Sequence, residues 1–415
     1  MRSASISRRN VLPSLAPSVL PAPALAPAAP VAGPAAAAAR VSLAAEVLAA
    51  ANDGKRIEAG GDSAHAAGSD AERALTGAEE IPAGMTPVPT FAEEVTAASA
   101  FVARYREQFA KAIVGQTDLR ESLLLGLLSG GNILLEGVPG VAKTRAVNAI
   151  AQMLDLKSGR VQFTRDLMPS DITGQEEKDQ KTGEWGFRPG PVFVDMLLAD
   201  EINRAKGQTQ SGVLEAMQEK AVTVAGTRHK LLPLFFVVAT QNPIEEDGVY
   251  PLPKAQYDRF MFKVDVPNPN AAELSRIVRL KLEEGEAPDV ERVLTRDELL
   301  AARALVRKIK VSDEVSDYIG RLVAATHKGA TTVPAVKNSV RQGASPRAAE
   351  WLARSAQALA FTQGRHYVEI EDVQKVAHRV LRHRVLLEFE AEGKTTTDEL
   401  ITLLLAGVPV TVKKK

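Results

Sequence analysis

The run Ile133-Leu134-Leu135-Glu136-Gly137-Val138-Pro139-Gly140-Val141-Ala142-Lys143-Thr144 constrains this chain more than any other part of it. An apolar run, a Gly/Pro turn, Lys-Thr and then Ala146, Val147 and Ile150 at helical spacing read as strand, loop and helix start. Gly137 and Gly140 let the backbone turn without Cβ clashes, so successive N–H groups can converge on phosphate oxygens. Lys143 would add a compact positive charge at the β/γ-phosphates, the Thr144 hydroxyl a ligand for Mg2+, and the helix its positive end. The consensus for such loops has glycine where Ala142 stands; alanine is tolerated there at helical φ and costs ~1 kcal/mol or more at positive φ. A turn with an incidental lysine is the competing reading of this segment taken alone.

The surrounding pattern predicts an α/β fold. Short apolar runs at Asn132–Glu136, Arg160–Thr164, Met196–Ala199, Phe235–Ala239 and Met261–Val266 alternate with helical spacing, as strands of a buried parallel sheet do. Helices are expected over Val95–Ile113, on to Leu128, and, after Pro267 and Pro269, over Ala271–Glu284, Thr295–Ile309, Asp313–Thr326, Pro346–Thr362 and Ile370–Val380. The expected organisation is a low-complexity, disordered extension and linker over residues 1–90, an αβα sandwich over 91–266 and a helical domain over 267–415. The first 40 residues are Ala/Pro-rich and offer few large side chains to bury, with a short helix predicted over Val41–Ala51. Ser7-Arg8-Arg9-Asn10-Val11-Leu12 looks superficially like an export signal, but five prolines from Pro13 to Pro27 break any apolar continuation. The expectation is a cytoplasmic protein with no membrane insertion.

Composition narrows the chemistry. With 51 basic and 51 acidic residues there is no global pull toward nucleic acid or membrane. Cysteine is absent, which removes disulfides, Cys-ligated zinc and a thiol nucleophile.

Met196–Ala199 leads into Asp200-Glu201, placing carboxylates at the end of a buried strand, where open α/β sheets bind ligands. On an extended chain adjacent side chains point opposite ways, so Asp200 is assigned to Mg2+ and Glu201 to polarising an attacking water. Two acids complementing a helix dipole remain the alternative. Phe235–Thr240 ends in Gln241-Asn242-Pro243, where Asn242 can hold the same water or simply begin a turn. Asp258-Arg259-Phe260 precedes the last strand, so Arg259 projects from the domain edge as a finger for a neighbour's γ-phosphate, or forms a surface pair with Asp258. Ser345-Pro346-Arg347 opens a helix from which Arg347 would reach the γ-phosphate, or merely caps that helix.

Taken together these segments resemble the MoxR family of AAA+ ATPases, as do Asp171-Ile172-Thr173-Gly174, Tyr250-Pro251-Leu252-Pro253 and Ala255-Gln256-Tyr257-Asp258-Arg259-Phe260. The likeness runs from about Phe91 to the C-terminus, with no counterpart for the first ninety residues. Family members are similar in carrying alanine before the lysine. The resemblance implies an AAA+ P-loop sandwich with a helical lid, ATP and Mg2+ as ligands, and a hexameric ring with nucleotide between subunits. It further implies chaperone-like remodelling of a protein client, often with a partner carrying a von Willebrand factor A domain. Asp200 and Glu201 then match Walker B, Asn242 sensor 1, Arg259 the finger and Arg347 sensor 2. Val114, Gly115 and Gln116 match the stretch contacting adenine, and the phosphate-binding stretch runs from Gly137 through Thr144 to Arg145. Two hairpins are expected, over Glu177–Val192 and Ala221–Leu232, with Trp185, Phe187, Arg228 and His229 as candidate client contacts, ordinary packing or solvated loop tips. A nucleic-acid motor and a magnesium-chelatase-like insertase are the alternatives; no DNA-binding motif is appended to support the first.

Overall fold

Five strands run parallel in the order β2 (Ser158–Gln162), β5 (Met196–Asp200), β8 (Phe236–Gln241), β1 (Ile133–Glu136) and β9 (Phe262–Asp265), which puts the loop-bearing strand β1 inside the sheet rather than at its edge. The computed structural model describes residues 89–138, 143–181, 183–242, 248–284 and 290–411, all within one compact unit. The reading of residues 1–88, including the Val41–Ala51 helix, lies outside them. Every residue of β5 and β8 is buried, as a sheet covered on both faces requires.

Alternate residues feed two cores. Ile133, Leu135, Met196, Leu198, Phe236 and Val238 join helices Thr117–Ser129 and Lys143–Met153 on one face. Leu134, Leu197, Ala199, Val237 and Ala239 meet helix Gly207–Glu219 on the other. The first core continues into the C-terminal helices Arg296–Lys308, Asp313–Ala324, Pro346–Thr362 and Ile370–Leu381 without a break. The helical lid therefore packs on one face of the sandwich.

Parallel register aligns the functional strand ends. Glu136 lies opposite Gln241, and Gln162 opposite Asp200, so the carboxyl ends of β1, β8, β5 and β2 stand side by side. The N-terminal helix expected over Val95–Ile113 is two, Phe91–Ser99 and Phe101–Ala112, parted where the Ala100 amide turns back to Ala97. The first opens on a Thr90–Glu93 capping box. Helices Pro334–Ser339 and Thr397–Gly407 add to the expected set, the second also starting at a Thr-x-x-Glu box. Both hairpins form: β3 (Gly174–Lys178) with β4 (Trp185–Pro189), and β6 (Ala221–Val224) with β7 (Thr227–Lys230). Ala225 and Gly226 both take positive φ, the turn whose twist suits a two-residue hairpin. Among the described residues no helix is long and apolar enough to cross a membrane.

Candidate active site

The phosphate loop leaves β1 at Gly137, where a Cβ would meet the Val266 carbonyl at 2.6 Å. Glycine is needed there for close approach to the end of β9. The Lys143 ammonium donates to the Gly137 carbonyl at 2.6 Å and the Gln241 carbonyl at 3.4 Å, joining the ends of β1 and β8. Burial pulls its pKa below the usual lysine value, while the charges of Asp200, Glu201 and Glu136 push the other way. Thr144 and Arg145 follow in the first turn of helix Lys143–Met153, Thr144 half-buried and Arg145 exposed. Pro139, Gly140, Val141 and Ala142 lie outside the described residues, so the φ question at Ala142 does too.

Asp200 closes β5 with its carboxylate divided between two partners. Oδ1 accepts from the Thr240 hydroxyl at 2.7 Å, and Oδ2 from Arg160 Nε and Nη2 at 3.1 and 2.8 Å. Glu201 does not continue the strand: its φ of 57° and ψ of 49° are left-handed. The acids are thus separated by a turn in the backbone, which corrects the expectation of two neighbours on an extended chain. A non-glycine residue in this region stores strain that its surroundings must hold. They do so at both ends of Glu201. Its amide donates to Thr240 Oγ1 at 2.8 Å; its carboxylate accepts from Gln162 at 2.7 Å and pairs with Arg204 at 3.3 Å. Thr240, fully buried on β8, is the pivot that fixes both acids at once. Asn242 follows directly after β8, buried at the same end of the sheet.

Val114, Gly115 and Gln116 reach this end as well. Gln116 is left-handed and donates to the Pro267 carbonyl at 3.0 Å, just past β9, while Gly115 leaves no room for a Cβ beside Glu273. Arg259 does not reach it. It precedes β9, whose first residue pairs with the first residue of β1, so it sits at the amino end of the sheet. Four strand residues at ~3.3 Å each put it at least about 13 Å from the phosphate loop of its own chain. Arg259 is half-buried, and among the described residues its guanidinium makes no hydrogen bond or ion pair.

Arg347, expected to reach the γ-phosphate from the helical domain, stands at the amino end of its own sheet. Arg347 pairs with Asp258 at 3.2 Å, beside Arg259, on a lid that packs along one face of the sandwich. Ser345 starts the helix, yet its hydroxyl does not cap it and donates to Asp258 at 2.9 Å. Asp258 is therefore tied to the lid and not to Arg259.

Among the hairpin candidates, Phe187 stacks on His229 with ring centroids 3.7 Å apart, and Arg228 pairs with Glu219. Packing accounts for Phe187 and His229; Arg228 sits in an exposed surface pair, its side chain 63% open, and Trp185 is 68% exposed. Reading the chain missed Thr240, Arg160 and Gln162 as site residues. Thr240 lay next to the Gln241-Asn242 motif; nothing local marked Arg160 or Gln162, whose partners are 40 and 39 positions away.

Residues 132–262 match the model of the ATPase family associated with various cellular activities (AAA), and residues 334–403 match the AAA lid domain. The chain is 43% identical to Chaperone MoxR1 of Mycobacterium tuberculosis over 70% of its own length and 76% of that protein's. The chain belongs to the MoxR family of AAA+ ATPases. It is also 38% identical to YeaC of Bacillus subtilis, over 74% of this chain and 94% of that one. A crystal structure from Cytophaga hutchinsonii, named as an ATPase, superposes with a TM-score of 0.72 at 39% identity, over 77% of this chain and 98% of that one. In this member the lysine, acids and asparagine cluster at the carboxyl end of one sheet, while two arginines stand at the other.

Proposed function

We propose that this chain hydrolyses ATP with Mg2+ between the subunits of a hexameric ring and uses the cycle to remodel protein complexes in the cytoplasm. The observation that carries the reading is the separation of parts. Lys143, Asp200 and Glu201 lie at the carboxyl end of the sheet, whereas Arg259, its guanidinium unengaged among the described residues, lies at the amino end. One chain cannot bring them together, and a second copy can.

The donor set suits a hard cation. The Thr144 hydroxyl and the Asp200 carboxylate offer oxygen only, few enough that Mg2+ would keep several waters. Bound there, Mg2+ would neutralise charge on the β- and γ-phosphate oxygens. Lys143 would exchange its carbonyl partners for phosphate oxygens. Glu201 accepts hydrogen bonds along a direction set by Gln162 and Arg204, and with Asn242 it orients the attacking water. Arg259 and Arg347 of the next subunit stabilise the charge that develops on the transferred group. On the family resemblance the proposal extends to a partner with a von Willebrand factor A domain and a protein client, with Trp185 exposed on its hairpin for contact.

Glu201→Gln tests the core of this reading. It should bind ATP with unchanged affinity, assemble as wild type by native mass spectrometry, and lose turnover by about 100-fold or more. Wild-type turnover in that variant would remove the catalytic assignment.

A further inference from the structure

The segment Asp258–Met261 carries Arg259 between the short helix Lys254–Tyr257 and β9; its amides turn back to Gln256 and Tyr257, and the Met261 amide donates to the Asn132 carbonyl beside β1. Its buried carbonyls still need donors. They come from the lid. Arg384 Nη2 donates to the Asp258 and Phe260 carbonyls at 3.1 and 2.5 Å, Nη1 to the Met261 carbonyl at 3.1 Å, and Nε to the Asp258 carboxylate at 2.8 Å. His383 Nε2 adds a bond to the Phe260 carbonyl at 3.1 Å, which makes that nitrogen the protonated one. Both residues follow helix Ile370–Leu381, more than 120 positions from the segment they hold.

We propose that Arg384, assisted by His383, is a positioning residue that fixes the aim of Arg259 toward the neighbouring subunit's phosphate. This rests on the reading of Arg259 as a finger acting between subunits. The carbonyls on both sides of Arg259 are bound by one planar guanidinium, so the backbone around it cannot rotate without breaking several bonds together. Phe260 is anchored in one hydrophobic core and Met261 in the other, both fully buried. The post is rigid; only the Arg259 side chain is left to move. Keeping a cation here is costly: the Arg384 side chain is 1% exposed, and burial pushes its pKa down to about 10 although Asp258 opposes the shift. His383 is likewise driven well below its ordinary pKa by burial, so it is neutral, with Nδ1 buried and unpartnered. Filling this space with apolar side chains would avoid both costs but would leave the three carbonyls without donors.

The test uses full-length chains. Arg384→Lys keeps the charge and loses the planar fork. Its kcat should fall about 100-fold, the scale of a 1 Å misplacement, while ATP affinity, measured by direct binding, stays within about twofold of wild type. Mixing it with Lys143→Ala, which lacks a working loop but has an intact Arg259 post, should restore turnover that neither has alone. Arg259→Ala mixed with Lys143→Ala runs in parallel. If Arg259→Ala turns over normally, the finger reading fails and this inference falls with it. If Arg259→Ala is dead and rescued, but Arg384→Lys keeps wild-type kcat or is dead without rescue, only the role of Arg384 is overturned. Should Arg384→Lys not fold, His383 decides: His383→Leu should lower kcat about tenfold and His383→Gln, which keeps a donor, should recover it. Equal rates in those two variants would sink the proposal.

Discussion

The two ends of the parallel sheet are built on different plans. At the carboxyl end the acids are held by neighbours within the sandwich: Asp200 by Thr240 and Arg160, Glu201 by Gln162, Arg204 and the Thr240 hydroxyl. At the amino end cations are buried on main-chain carbonyls instead. Arg384 holds the Asp258–Met261 segment, and Lys220 donates to the Phe235 carbonyl at 2.9 Å. The contrast teaches that strand register alone assembles the phosphate-binding end, whereas the finger end depends on where the lid docks.

The hardest way to break the comparison is to remove the unengaged side chain at the amino end. Arg259→Ala should lower kcat by about 1,000-fold and leave nucleotide affinity unchanged, read by steady-state turnover and direct binding. A parallel loss of affinity would mean that Arg259 serves its own site. Next comes the pivot at the carboxyl end. Thr240→Val keeps shape but leaves the Glu201 amide without its acceptor, so we expect about 1–3 kcal/mol of lost stability in denaturant unfolding together with reduced turnover.

The buried cations at the amino end make a prediction about pH. Burial, helped by the charge of Arg303, pushes Lys220 down to about 8 from an ordinary 10.5. A lysine whose pKa is lowered on folding binds fewer protons in the native state than in the unfolded one. Its contribution to stability therefore rises between pH 8 and 10.5 and is lost as pH falls back through 8. Lys220→Met loses the bond to the Phe235 carbonyl at every pH, but its stability relative to wild type should be higher at pH 7 than above pH 10.5 by on the order of 1–3 kcal/mol. A thermal-melt series across pH checks it, and a gain independent of pH would contradict the cause. The smallest effect is expected at the half-exposed pair of the carboxyl end. Arg160→Ala frees Asp200 and should lower the Mg2+ concentration for half-maximal turnover about two- to fivefold, with little change in melting.

Much of this was legible without coordinates wherever function and local backbone coincide. Lys143 and Thr144 follow their glycines within one turn, Asp200 ends an apolar run and Arg259 precedes one, so pattern alone predicts the strands, their alternation with helices and the residues at their ends. Glu201 was legible as an acid but not as a left-handed residue, because its conformation is enforced by Thr240 from a neighbouring strand.

The amino-acid sequence by itself determined the α/β class, the phosphate loop, the paired acids and the arginine at the edge, since each depends on side chains a few positions apart on one strand or turn. Only the tertiary structure decided that Arg347 stands with Arg259 instead of the phosphate loop, and that Arg384 straps the segment that carries Arg259. Both outcomes follow from which face of the sheet the lid covers, a choice made by a core assembled from residues hundreds of positions apart, with no local pattern to announce it.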